Sequence, residues 1–342
     1  MIKTVCFGEL MLRLSPPGYE RLFQSPAFQA TFGGGEANVA VSLAQFGCDS
    51  HYVTRLPANP IGDAALRMLR GHGVRVDHVL RGGERLGIYF AETGASQRPS
   101  TVVYDRGHSA ISEVQPGAIH WDAVLDGAKW FHCTGITPAL GPGPAACTRE
   151  ALEAAKRAGA TVSVDLNYRA KLWSKADAQR TMRPLMRLVD VVIANEEDLQ
   201  AVLGIDVPRA DVAAGALDVE GYRAAAERVA AEFEVARVAV TLRESRSASE
   251  NAWSGVLLEA APKAFHRSQQ YVVHLVDRIG GGDSFAAGLI YGLATGRDGG
   301  ASLRFAVAAS ALKQTIPGDF NQVSVTEVER LAAGEASGRV QR

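Results

Sequence analysis

Short apolar runs rich in β-branched residues alternate with stretches of helical period along most of the chain. Residues 4–7 lead to 35–46, residues 51–55 to 63–71, and residues 129–133 to 144–158. Further on, 161–166, 190–194 and 236–242 read as strands, and 176–187, 197–203 and 219–233 as helices. Strands that alternate with helices require right-handed crossovers, so the pattern predicts a doubly wound α/β architecture: a mainly parallel sheet with helices on both faces. Two segments, about 10–32 and 86–104, break the rhythm. Tyr, Phe, Thr and Val alternate with polar residues there and no helical period is present, which predicts extra strands. Both are inserted between βα units, so a small β-sheet lid over one end of the main sheet is more economical than a second domain. The expected organisation is one domain over 1–334, with an Ala/Gly/Asp-rich loop at 207–217 and a frayed tail at 335–342.

Charge narrows the choice of partner. Among 342 residues, 36 Lys and Arg face 37 Asp and Glu, a formal charge of −1, which removes the basic footprint of a nucleic-acid binder. No stretch approaches the ~18–20 apolar residues of a spanning helix, and the amino-terminal apolar run is broken by Glu9 and Arg13 where a signal peptide would continue. Cys6, Cys48, Cys133 and Cys147 form no CxxC pair, and the eight histidines show no metal-ligand spacing. These features predict a cytoplasmic protein with reduced thiols, no dedicated metal site, and a small-molecule ligand.

Two glycine clusters carry the chemistry. Near the carboxyl terminus a strand from Tyr271 runs into Gly280-Gly281-Gly282-Asp283 and then an apolar helix. Glycines at a helix start let backbone amides approach an anion, which the helix dipole favours. An aspartate there would repel a bound phosphate if binding were the only task. It fits a group that takes the proton from an attacking hydroxyl while the amides stabilise the transferring phosphoryl, although Asp is also a common helix cap. Near the amino terminus, Gly33-Gly34-Gly35-Glu36-Ala37-Asn38 opens another helix; Asn38 either meets sugar hydroxyls or caps local backbone. A P-loop is absent. Gly141-Pro-Gly143-Pro-Ala-Ala146 matches a dinucleotide fingerprint only formally, since Pro142 and Pro144 have no N–H to offer a pyrophosphate.

Together these segments resemble the paired signatures of the phosphofructokinase B-type, or ribokinase-like, sugar kinases, and the strand and helix order resembles that family over nearly the whole chain. The resemblance implies ATP-dependent phosphorylation of a sugar hydroxyl, with Asp283 as general base, Gly280, Gly281 and Gly282 as the anion hole, and Mg2+ arriving with the nucleotide. Within the family the chain is most similar to the 2-keto-3-deoxygluconate kinases, through Tyr104-Asp-Arg106-Gly-His-Ser-Ala110, Asp165-Leu-Asn167-Tyr-Arg169 and Ile316-Pro-Gly-Asp319-Phe-Asn321. That likeness implies Gly34, Asn38, Tyr89, Tyr104, Arg106, Arg169 and Asp319 as sugar-acid contacts. Arg106 and Arg169 supply the guanidinium a carboxylate wants, and Arg169 alternatively meets phosphate. Asn167, Asn195, Asp198, Thr241 and Gly282 are implied on the nucleotide side. The segment Thr241-Leu-Arg243 departs from the family's glycine-rich turn, and Asp277 either serves a monovalent cation or ends a strand. Fructokinases resemble parts of the same stretches, so fructokinase is the alternative, with a non-catalytic sugar-binding protein a third. The lid edges also imply a homo-oligomer, a dimer through the lid being the natural form.

Overall fold

The structure is a computed structural model that describes residues 1–207 and 219–335. The loop expected at 207–217 therefore lies, apart from Val207, outside the described residues, as does the tail after Glu335. Along the chain the strands are β1 (Lys3–Phe7), β2 (Met11–Ser15), β3 (Gln29–Gly33), β4 (Asp49–Val53), β5 (Arg55–Leu56), β6 (Leu80–Arg81), β7 (Gly87–Glu92) and β8 (Thr101–Asp105). They continue with β9 (Trp130–Thr134), β10 (Thr161–Asp165), β11 (Val191–Ala194), β12 (Arg237–Ser245), β13 (Glu250–Glu259), β14 (Ala264–Arg267) and β15 (Tyr271–His274).

The main sheet runs β14-β13-β12-β11-β10-β9-β1-β4, with β15 paired to the first half of β13. From β4 to β12 every pairing is parallel, as the crossovers demand. The pairings of β13 with β12, β14 and β15 are antiparallel. This antiparallel edge was not anticipated from periodicity, because a hairpin needs no helix to announce it. Alternation along each strand divides the core in two. Val5 and Phe7 enter one apolar cluster with helices Pro142–Arg157, Lys175–Leu185 and Val219–Phe233. Cys6 enters the other with helices Gly35–Gln45, Gly281–Ala294 and Gly299–Lys313.

The segment expected as one helix at 197–203 is a single α turn, Glu196–Asp198, followed by a π turn, Leu199–Leu203, which ends at left-handed Gly204. The two irregular segments form a separate four-stranded sheet, ordered β3-β2-β7-β8. Met11, Tyr89 and Ala91 are buried on its inner face, against Val102, Tyr104 and Ile279. On the outer side Phe23, Phe28 and Phe90 stack edge to face, and Phe23 is 74% exposed.

Candidate active site

A cleft of about 1090 Å³ opens where β10, β11 and β12 end, between the main sheet and the small one. Ligands of open α/β sheets bind at the carboxyl ends of the strands. The cleft gathers every site residue expected from the sequence. Tyr89, Tyr104 and Arg106 come from the small-sheet side, Gly34 and Asn38 from the first glycine segment, and Asn167 and Arg169 from the loop after β10. Asn195, Asp198 and Thr241 line the opposite side, and Gly280 to Asp283 lie between, with Asp319.

Each of the three glycines before Asp283 is there for a different reason. Gly280 takes a left-handed backbone with φ 84°, and a Cβ on it would run into the Asp319 carbonyl. A Cβ on Gly281 would stand 3.2 Å from Gln314 Cγ, tight packing against the next helix. A Cβ on Gly282 would meet nothing within 4 Å. The fold does not need a glycine at 282; the open cleft in front of it does. Helix Gly281–Ala294 begins there, and the amides of Gly282 and Asp283 have no acceptor among the described residues. Two free amides at a helix start form an anion site.

Asp283 is half-buried beside them. Burial pushes its carboxyl up to about 6, against the pull of the hydrogen bond from Asn38. Asn38 Nδ2 donates to Asp283 Oδ2 at 2.6 Å, and Asn38 Oδ1 accepts from the Gly34 amide at 3.2 Å. The Asn38 side chain thus aims Asp283, and it does so from the wall of the cleft. Asn167 stands close by in a left-handed conformation, φ 40°, which asparagine tolerates better than most residues. Behind it, burial and the Asp198 and Asp283 carboxylates raise the Asp165 carboxyl well above its ordinary range.

Several expected contacts have other partners. Tyr89 donates its hydroxyl to Asp319 Oδ2 at 2.6 Å, and Asp319 Oδ1 accepts from Arg13 Nη1 at 2.7 Å. Arg13 also pairs with Asp277 Oδ2 at 2.7 Å. Tyr89 and Asp319 thus belong to a buried charge network at the wall of the cleft. Burial works against the Arg13 charge, but Asp277 and Asp319 more than compensate and hold its pKa above the ordinary value. The site does not fit a monovalent cation at Asp277. Both its carboxylate oxygens are taken, by Arg13 with the Gly318 amide and by the Ile279 amide, while its carbonyl accepts from the fully buried Lys313 ammonium at 3.2 Å. Burial pulls that ammonium below its usual pKa.

Arg106 is likewise engaged. Its Nε donates to Glu9 Oε2 at 2.9 Å, its Nη2 reaches the same carboxylate, and Ser109 donates to Glu9 Oε1 at 2.7 Å. Its charge is already balanced within the chain. Asn195 and Asp198 form a capping box: Asp198 Oδ2 accepts from the Asn195 amide, Asn195 Oδ1 from the Asp198 amide, and Asp198 Oδ1 from the Tyr168 amide. Asp198, held through both oxygens, shapes the loop that carries Arg169. Thr241 donates weakly to the Ala194 carbonyl at 3.4 Å.

The model of the family described as pfkB family carbohydrate kinase matches residues 1–323. The chain belongs to that family. It is 53% identical to a structure titled 2-dehydro-3-deoxygluconokinase from Thermotoga maritima, with a TM-score of 0.93, over 97% of this chain and 98% of that one. It is 34% identical to a 2-dehydro-3-deoxygalactonokinase of Haloferax volcanii over 98% of both chains. A fructokinase of Klebsiella pneumoniae is 31% identical, over 85% of this chain and 84% of its own. This pfkB kinase is an ATP-dependent sugar kinase with a ribokinase-like fold. The residues at or beneath the site that were not foreseen are Glu9, Arg13, Arg278 and Lys313. A charge at the inward parity of β2, between Met11 and Ser15, and a lysine ending the apolar helix Gly299–Lys313 were the available signals.

Proposed function

We propose that this kinase phosphorylates the terminal hydroxyl of 2-keto-3-deoxygluconate, giving 2-keto-3-deoxy-6-phosphogluconate. The observation that carries the reading is Asp283, aimed by Asn38, with a carboxyl near 6, beside two unpaired amides in a cleft. Asp283 takes the hydroxyl proton as the oxygen bonds to the γ-phosphorus; the bond to ADP breaks, and the amides of Gly282 and Asp283 stabilise the charge on the transferring group. Magnesium would come as part of the nucleotide substrate, as in kinases generally. The similarity to kinases named for 2-dehydro-3-deoxy sugar acids supports the acceptor class.

The Glu9–Arg106 pair favours a second reading, fructokinase, because a neutral sugar needs no free guanidinium. Arg169, which makes no ion pair with a described residue and donates only to the Tyr168 carbonyl, supports the first. An ADP-release assay with 2-keto-3-deoxygluconate, 2-keto-3-deoxygalactonate, fructose and ribose decides. A kcat/KM highest for fructose would replace the proposal. The small sheet is proposed as a lid over the acceptor end, and its exposed aromatic face as a dimer surface, which light scattering tests. Use of ATP and four free, buried cysteines support a cytoplasmic location. No helix among the described residues is long and apolar enough to cross a membrane.

A further inference from the structure

Two arginines at the nucleotide side of the cleft differ from Arg13 and Arg106, the paired arginines near it. Arg13 and Arg106 each meet a carboxylate. Arg243, near the end of β12, and Arg278, two residues before the Gly280 turn, line the same cleft and have no ion pair with any described residue. Arg243 has no hydrogen bond either. Arg278 donates one weak bond, Nη2 to Asn251 Oδ1 at 3.3 Å, and its Nε is buried with no partner. Burial and the nearby Arg243 charge both lower the Arg278 pKa, the expected result of like charges in one recess. Two guanidiniums held together with no carboxylate paired to either leave a repulsion that a polyanion relieves. Planar guanidiniums also bind phosphate oxygens two at a time.

We propose that Arg243 and Arg278 form a clamp for the polyphosphate of the nucleotide, in the place where related kinases have a glycine-rich turn. The proposal rests on the ATP-kinase reading. It follows from placement. Arg278 precedes the free amides of Gly282 and Asp283, and Gly281 donates to its carbonyl, so a phosphate chain on those amides passes the Arg278 side chain. Arg243 extends from β12, which also carries Thr241, so it meets the same chain farther from the acceptor.

The test is calorimetric binding of ATP, ADP, AMP and adenosine to the full chain and to Arg243→Met, Arg278→Met and the double variant. Charge-assisted hydrogen bonds of this kind predict an ATP Kd raised about 10-fold in each single variant and about 100-fold in the double, with adenosine changed less than about 2-fold. Arg278→Lys should recover part of the ATP affinity and not all of it, since it returns charge without the planar fork. Arg243 is exposed and its side chain makes no hydrogen bond or ion pair with a described residue, so its variant stays informative if Arg278→Met is unstable. An ATP-to-AMP affinity ratio unchanged by Arg243→Met overturns the clamp, as does an equal loss for adenosine. A raised KM for the sugar acid with ATP binding intact also overturns it, and assigns the pair to the acceptor. Wild-type protein that binds ATP with the expected ratio but phosphorylates none of the four sugars would sink the substrate reading and leave the clamp standing.

Discussion

Two groups of charges flank the Gly280 turn and are handled in opposite ways. Beneath it, Arg13, Asp277, Asp319, Tyr89 and Lys313 are buried, and every charge there meets an opposite charge or a hydrogen-bonding partner. Above it, Arg169, Arg243 and Arg278 line the cleft with no ion pair to any described residue, beside two unpaired amides. Removing a charge from water is costly unless it is paired, so the lower group is complete as it stands and holds the turn in place. In the function proposed above, a ligand would complete the upper group. The sequence resemblance marks residues from both groups alike, and pairing is what separates them.

The largest effect expected is on the reaction itself. Asp283→Asn should lower turnover by roughly 10²–10⁴ while calorimetry shows sugar and nucleotide binding intact. Turnover within a few-fold of wild type would make Asp283 a helix cap. Next, Arg13→Met should lower stability by about 3–5 kcal/mol in urea unfolding, because it strands two buried carboxylates. An unchanged urea midpoint would break the claim that the lower group is architectural. Gly282→Val should fold normally, since its Cβ meets open space, yet lose about 100-fold in kcat as the side chain fills the anion site. A variant that unfolds, or one that turns over normally, contradicts it.

Two smaller effects sharpen the boundary between the groups. Arg106 belongs partly to each: it lines the cleft but its charge is shared with Glu9. Arg106→Ala should therefore cost only about 10-fold in kcat/KM for the sugar acid, roughly 1.4 kcal/mol, and less for any neutral sugar. Equal losses on both substrates would place Arg106 with the architectural charges. Last is the pH profile. Asp283 works as the carboxylate, so kcat/KM should be level above its pKa, halve near pH 6, and fall tenfold per unit below that. A profile flat down to pH 5 would remove Asp283 from the proton path.

The scaffold was legible because parallel strands must be separated by helices, and both report themselves through local period. The helix at Val219–Phe233 begins and ends where its pattern does. The glycine clusters were legible because a helix start without side chains has few uses. What the sequence hides is pairing across distance. Arg13 and Asp319 are 306 positions apart, and Glu9 and Arg106 are 97 apart. Nothing local marks either arginine as spent, so Arg106 reads as a free carboxylate receptor until its partner is seen. Asn38 shows the converse: the residue was recognisable, but its task of aiming Asp283 depends on a contact 245 positions away.

The Arg13 network also has a mechanical side. Arg13 sits on β2, the second strand of the small sheet, while Asp277 and Asp319 belong to the body of the molecule. The sheet is thereby pinned at β2, and at β7 through Tyr89 to Asp319, and cannot slide without breaking these buried contacts. A residual tilt would turn about these two strands. β8 lies one strand beyond β7, a lever arm of about 5 Å, so a tilt of about 20° would carry Tyr104 through about 2 Å. Motion over the cleft would then be largest at the free edge and vanish at the pivot, and amide hydrogen exchange should rise from β2 outward to β8.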